Sequence, residues 1–283
     1  MAYKTLLVVL DEDQRSHERL ALAATLAERF DAHLVGLYVA VGREPPGRFD
    51  QFNPYAPLFR PIYEEIEVRI RDQAQAMRTA FEDVVGRRAL SAEWRTASGY
   101  PADKASLHGR YADLIILGQI DPADPWSPLL HPAPHEVALT AGRPVLVVPY
   151  VGHFEQIGRR VLIGWDASRE ASRAVSDALP LLAAASTVSV ITVDAEQAGL
   201  RHGEVPGADV ALYLARHGVK ANVERTVSAG VDVGNVLLSR ASGFEADLLV
   251  MGAYGHARVR ELLLGGATRT VLASTPVPVL MSH

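Results

Sequence analysis

The sequence predicts an α/β protein made of two tandem halves, each a parallel sheet covered by helices on both faces. Three observations point there. Short apolar runs such as Leu248 to Met251 are too short for helices and suit buried parallel strands. These runs alternate with amphipathic helical stretches, the pattern of a doubly wound sheet. The chain also repeats itself. Lys4 to Asp11 (KTLLVVLD) is answered by Arg159 to Asp166 (RRVLIGWD), and Ala112 to Gly118 (ADLIILG) by Ala246 to Gly252 (ADLLVMG). Pro144 to Val147 (PVLV) is answered by Pro278 to Met281 (PVLM). The offset is 155 residues for the first pair and 134 for the other two, so the first half carries about twenty-one extra residues. A period of this size means duplicated domains and not a solenoid.

In the first half, Leu6 to Leu10 reads as a strand and Arg15 to Phe30 as a helix, with Leu20, Ala23, Ala24 and Leu26 on its apolar face. His33 to Val39 is a second strand. Residues 42 to 61 hold Pro45, Pro46, Gly47, Pro54, Pro57 and Pro61, which marks an irregular insertion or lid. A long amphipathic helix from Ile62 to Val85 follows, then a strand (Ala92 to Thr96), a helix (Ala102 to Tyr111) and a strand (Leu114 to Leu117). The second half repeats the alternation. Its strands are Val161 to Trp165, Thr187 to Val193, Asn222 to Val227, Leu248 to Met251 and Pro278 to Met281. Its helices are Arg169 to Ala185, Val210 to His217, Val233 to Gly243 and Thr268 to Ala273. Val151 to Gly158, with few apolar residues, is the expected linker, giving domains over 1–150 and 151–283.

The chain has 283 residues, 48% of them hydrophobic, enough to bury a full core in each half. Its net charge of -5 with no basic block offers nothing to nucleic acid. No window approaches eighteen consecutive apolar residues, so no membrane span is expected. The N-terminal MAYKTLLVVLDEDQ runs quickly into acidic residues and reads as a first strand, not a signal peptide. There is no cysteine, which removes disulfide and thiolate chemistry and fits a cytoplasmic protein.

The chemistry concentrates near the C-terminus. After the strand ending at Met251 come Gly252, two residues, Gly255, nine residues, and Gly265-Gly266. Glycines let the backbone turn sharply and approach a ligand, and the new helix that begins just after Gly265-Gly266 offers unpaired N–H groups and a partial positive charge. Together they can cradle phosphate without a lysine. This pattern, followed by an apolar helix and a PVLV-like strand, resembles the ATP-binding signature of the universal stress protein family. The resemblance covers nearly the whole chain and implies two five-stranded doubly wound domains of the adenine-nucleotide alpha-hydrolase-like type, paired as an intramolecular pseudo-dimer. It departs at Gly266, where the family usually has Ser or Thr, and at Ala167, where relatives usually have Gly. Thr268 stands where the family often has another hydroxyl.

The resemblance implies an ATP-binding set of Asp166, Ala167 and Ser168 after the first strand of the second half, and Val193 after its second. Met251, Gly252, Tyr254, Gly255 and His256 follow the fourth strand, and Gly265, Gly266, Ala267 and Thr268 open the last helix. Asp166 would approach the ribose or a divalent ion, so ATP is expected with or without magnesium. It reads equally well, with Ser168, as the N-cap of the helix at Arg169. Val193 would contact adenine through its main chain, with Met251 and Ala253 as an apolar floor. His256 is either a phosphate contact or a solvated loop histidine.

The first half departs from this pattern. Gly118 is kept, but Asp121 takes the place of Gly255, and His131-Pro132-Ala133-Pro134 answers Gly265-Gly266. Proline has no N–H to give a phosphate, and Asp11-Glu12-Asp13 adds negative charge where a triphosphate would lie. His131, His135 and Glu136 suggest a metal, but Pro132 and Pro134 are expected to break the helix such a site needs.

No P-loop, dinucleotide glycine motif or nucleophile elbow is present. The leading expectation is therefore an ATP-binding regulatory or stress protein with at most slow hydrolysis. The alternatives are an adenylating enzyme of the related fold, or a nucleotide-free scaffold holding another small ligand. Val145 to Val148 and Val279 to Met281 read as apolar sheet-edge strands that pair antiparallel within one chain, leaving a homodimer of chains open.

Overall fold

The computed structural model describes residues 2–11, 15–41, 56–124, 127–196, 205–254 and 266–283. The first half runs β1 (Thr5–Leu10), α1 (Arg15–Phe30), β2 (His33–Ala40), α2 (Ala56–Arg88), β3 (Ala92–Ser98), α3 (Pro101–Gly109), β4 (Leu114–Gly118), α4 (Ser127–Leu130), α5 (Pro134–Thr140) and β5 (Val145–Val148). The second runs β6 (Arg160–Gly164), α6 (Arg169–Leu182), β7 (Thr187–Val193), α7 (Ala208–Arg216), β8 (Ala221–Thr226), α8 (Val233–Gly243), β9 (Leu248–Gly252), α9 (Gly266–Ser274) and β10 (Val279–Ser282). All the expected strands and helices form, with ends shifted by a few residues.

All ten strands belong to one sheet in the order β3-β2-β1-β4-β5-β10-β9-β6-β7-β8. Within each half the pairs are parallel. Among the described residues only β5 and β10 run antiparallel, with Val145 opposite Met281, Leu146 opposite Leu280 and Val147 opposite Val279. Leu146 thus faces the residue that answers it in the repeat, as expected of two halves related by a two-fold axis. The expected pairing within one chain is present. In the completed sheet, however, these two strands lie at the centre, fully buried, and the true edges are β3 and β8.

Alternate residues of each strand feed the two faces. Leu6, Val8 and Leu10 belong to one apolar layer and Leu7 and Val9 to the other. Each layer runs through both halves, past Leu146 and Leu280 on one face and Val145, Val147 and Val279 on the other. The repeated Ala-Asp-Leu has a structural reason. Asp113 accepts hydrogen bonds from the backbone N–H groups of Lys4 (2.7 Å) and Thr5 (3.0 Å). Asp247 does the same for Gly158, Arg159 and Arg160. Each carboxylate satisfies the donors of the strand that starts its half.

Two expectations about proline are corrected. Pro134 does not break a helix but opens one, because at the first position of α5 its missing N–H has no partner to lose. The long helix starts at Ala56 and not Ile62, so 56–61 of the expected insertion is helical and only 42–55 lies outside the described residues.

Candidate functional site

The site forms where β6, β7 and β9 end and the first turns of α8 and α9 meet. β6 runs out through Trp165, whose N–H bonds Ile191 O on β7 (2.9 Å). Ala167 then takes a left-handed φ of 57° and turns the chain into α6. Ser168 caps α6, its hydroxyl accepting from Ala171 N (3.1 Å). Asp166 is therefore not the cap itself. Its Oδ1 accepts from Ser168 N (3.0 Å) and from Ser168 Oγ (2.6 Å), fixing the capping hydroxyl while the residue lines the site.

β9 packs tightly against α6. A Cβ on Gly252 would lie 2.5 Å from Ala171 N and 2.7 Å from the carbonyl carbon of Glu170. The absent side chain is thus demanded first by helix–strand packing, although Gly252 also lines the site. Tyr254 follows with a left-handed φ of 64°, and its N–H points at Thr268 Oγ1 (3.4 Å). That contact ties the chain leaving β9 to the first turn of α9, where Thr268 is buried. Asp232 caps α8, accepting from Gly234 N (3.0 Å) and Asn235 N (3.3 Å). A Cβ on Gly266 would lie 3.3 Å from Asp232 Oδ2. A carboxylate therefore occupies space beside the amino end of α9.

These elements enclose a cavity of about 150 Å³. Asp166, Val193, Met251, Gly252 and Tyr254 line it, with Gly266, Ala267 and Thr268 opposite. The structure thus brings together eight residues expected from the sequence. Ala167 and Ser168 do not line it. They border a neighbouring depression of about 310 Å³ with Arg169, Gly207 and Asp209, on the other side of Trp165. Ala253, expected in the floor, is buried in the core, its N–H bonded to Ser282 O (2.8 Å). Gly255, His256 and Gly265 lie outside the described residues. Sequence reading missed Trp165, Ile191, Val233 and Leu237 in the walls. Val233 and Leu237 are an i,i+4 pair on α8 and could have been read as one apolar helix face.

The described lining is mostly apolar and contains no Lys, Arg or His; its one charged residue is Asp166. The Tyr254 hydroxyl is buried without a hydrogen-bond partner among the described residues. Burial, and then the nearby Glu136 carboxylate of the first half, hold its pKa well above the ordinary tyrosine value. Glu136 itself accepts from Tyr100 OH (2.9 Å). A second link between the halves runs through the buried Gln119, whose Nε2 donates to Leu272 O at the end of α9 (2.9 Å).

The matching position in the first half holds a cavity of about 290 Å³, lined in part by Asp11, Tyr38, Asp121, Asp124 and His131. Asp11 is not a bare charge facing a ligand, as the sequence suggested. Its Oδ2 pairs with Arg19 Nη2 (2.7 Å) and lies 2.8 Å from His131 Nδ1. Burial alone would raise its pKa, but the Arg19 charge and the His131 and Ser16 hydrogen bonds outweigh that and hold it well below the usual carboxylate range. Glu12 and Asp13 lie outside the described residues. His131 precedes α5 and turns to Asp11, whereas His135 and Glu136 lie on α5.

The profile of the universal stress protein family matches residues 158–283. A universal stress protein of Mycolicibacterium smegmatis is 37% identical over 100 residues, 35% of this chain and 72% of that protein. A second, from Synechocystis, is 56% identical over 34 residues, and the match spans only 12% of either protein. The crystal structure of a universal stress protein from Archaeoglobus fulgidus superposes with a TM-score of 0.70 at 17% identity, covering 98% of this chain and 97% of that one. A functionally unknown protein from Pseudomonas aeruginosa PAO1 gives 0.60 at 17% identity, covering 99% and 92%. At that identity the structures speak to fold alone, and they span both halves, while the sequence match to the Mycolicibacterium protein speaks to descent. The chain belongs to the universal stress protein family, in a tandem form that carries the fold twice.

Proposed function

We propose that the second half binds one adenine nucleotide, ATP, in the cavity beneath α8 and α9, and that the protein serves a regulatory, stress-response role in the cytoplasm. One observation carries this reading: residues expected from four separated sequence segments line a single cavity. Its apolar walls suit a base, and the amino end of α9 supplies N–H groups for phosphate. Val193 would meet the adenine edge through its main chain. Asp166 is the carboxylate that would face the ribose or a magnesium ion carried in with the nucleotide. The sequence has no P-loop with its phosphate-gripping lysine, which favours binding over turnover. The division into domains at 1–150 and 151–283 is part of the same reading, with the first domain not binding ATP.

Denaturing the purified protein and separating what is released by chromatography tests it. The expected result is adenine nucleotide, with isothermal titration of the emptied protein giving one ATP site per chain. Two equivalent sites, or no heat with any adenine nucleotide, would overturn it.

A further inference from the structure

The two outer edges of the ten-stranded sheet are unlike. β3 is flanked by the long α2, and Trp94 packs on Phe81 with ring centroids 5.4 Å apart. β8 pairs with β7 and, among the described residues, with no other strand. Asn222, Val223, Glu224 and Arg225 are all exposed in succession, although α7 packs over part of the face that carries Ala221 and Val223, where a Cβ on Gly207 would lie 2.7 Å from Val223 Cγ1. Val223 is 38% exposed there.

The direction of the backbone groups follows from one bond. Asp194 N donates to Thr226 O, so Thr226 turns its carbonyl toward β7. By the alternation of a strand, Glu224 and Asn222 do likewise, while Ala221, Val223 and Arg225 turn their N–H and C=O groups outward. Such an edge invites another strand, and edges that must stay single are commonly guarded by charge. Here the charges have both signs. Lys220 and Glu224 are exposed four residues apart, centred on Asn222. Glu224 is held on its sheet face by Ser189 Oγ (3.3 Å).

We propose that β8 joins two copies of the chain, antiparallel about a two-fold axis at Asn222, continuing the sheet across both. In that register Glu224 faces the partner's Lys220, and Lys220 faces the partner's Glu224, on one side of the sheet. On the other side Val223 faces the partner's Ala221. The Val223–Ala221 pairs use the outward backbone groups, and the Asn222 pair is the close, non-hydrogen-bonded kind. Moving the axis to Glu224 would set like charges against each other, and moving it to Val223 leaves both charges unmatched. Charge complementarity therefore selects both the partner and the register.

Sedimentation of the full chain tests the proposal, with an expected mass twice the 30.6 kDa of one chain. Because the sequence has no cysteine, Asn222→Cys introduces a single thiol. Close antiparallel pairs have Cα atoms about 4.5 Å apart, within disulfide range, so mild oxidation should give a covalent dimer. Tyr111→Cys, on an exposed residue of the first half, should not cross-link. Glu224→Lys should weaken the dimer about tenfold, and the double swap Lys220→Glu with Glu224→Lys should restore it. A monomer at every concentration, a dimer indifferent to Glu224→Lys, or an Asn222→Cys dimer that does not cross-link would overturn the proposal.

Discussion

Gly252 and Gly266 look alike in the sequence and answer to different forces. At Gly252 the clash is with the backbone of α6, which has no side-chain freedom to yield. Gly252→Ala should cost about 2 kcal/mol, the scale of an overpacked core, read as a lower urea midpoint. At Gly266 the neighbour is the Asp232 carboxylate, so a serine hydroxyl placed there would donate to Asp232 in preference to a ligand. Asp232 also opposes any anion at the start of α9. Asp232→Asn keeps the α8 cap, since asparagine caps as well as aspartate, and should tighten ATP about fivefold by titration calorimetry. Asp11 makes a different prediction. Its folded pKa lies below the unfolded value, so its contribution is present above the unfolded carboxylate pKa and is lost as pH falls through the folded one. Asp11→Asn should therefore destabilise by about 3 kcal/mol at neutral pH by leaving Arg19 buried and uncompensated. The gap to the wild type should narrow in unfolding curves taken below the ordinary carboxylate pKa, near pH 4. The glycine spacing was legible because backbone geometry restricts which residue fits. Asp232 was not, because nothing local says that the cap of α8 abuts the start of α9.

At the scale of elements, α9 has an orphan carbonyl. Leu272 O would ordinarily bond the N–H four residues on, but that residue is Pro276. Gln119 of the first half supplies the missing donor and also accepts from Tyr150 N (3.2 Å). Gln119→Leu should cost about 1–2 kcal/mol, with faster hydrogen exchange concentrated in the last turn of α9. The strands and most helices were legible in the sequence because runs like LLVVL and PVLV are apolar on both faces, as strands buried between two helical layers must be. Pro134 misled because proline is compatible with the first turn of a helix and hostile to its interior, and only the preceding residues decide which applies. Val233 and Leu237 were legible as one apolar face of α8 but not as cavity walls, because α8 reaches the cavity through packing against α9, a contact that no local pattern encodes.

The whole molecule should behave as one cooperative unit, since both apolar layers pass uninterrupted from one half to the other. Tyr3 OH also reaches across to Asp177 O (2.7 Å), and Arg29 Nη1 to Ile157 O (2.9 Å). Urea unfolding followed by fluorescence of Trp94 in the first half and Trp165 in the second, each retained singly, should give coincident transitions. Two separated midpoints would show that the halves melt independently.

The place of β10 has a consequence in time. Leu146 and Leu280, partners at the centre of the sheet, are 134 residues apart in the chain. At roughly 5–20 residues per second, a ribosome leaves β5 without its neighbour for about ten seconds, longer than many domains need to fold. For that interval the nascent first half presents a bare Val-Leu-Val-Val edge, open to any extended chain nearby. Newly made molecules, far more than mature ones, should therefore depend on chaperones that shield strand edges, and halting synthesis before β10 should yield aggregates in place of a soluble half.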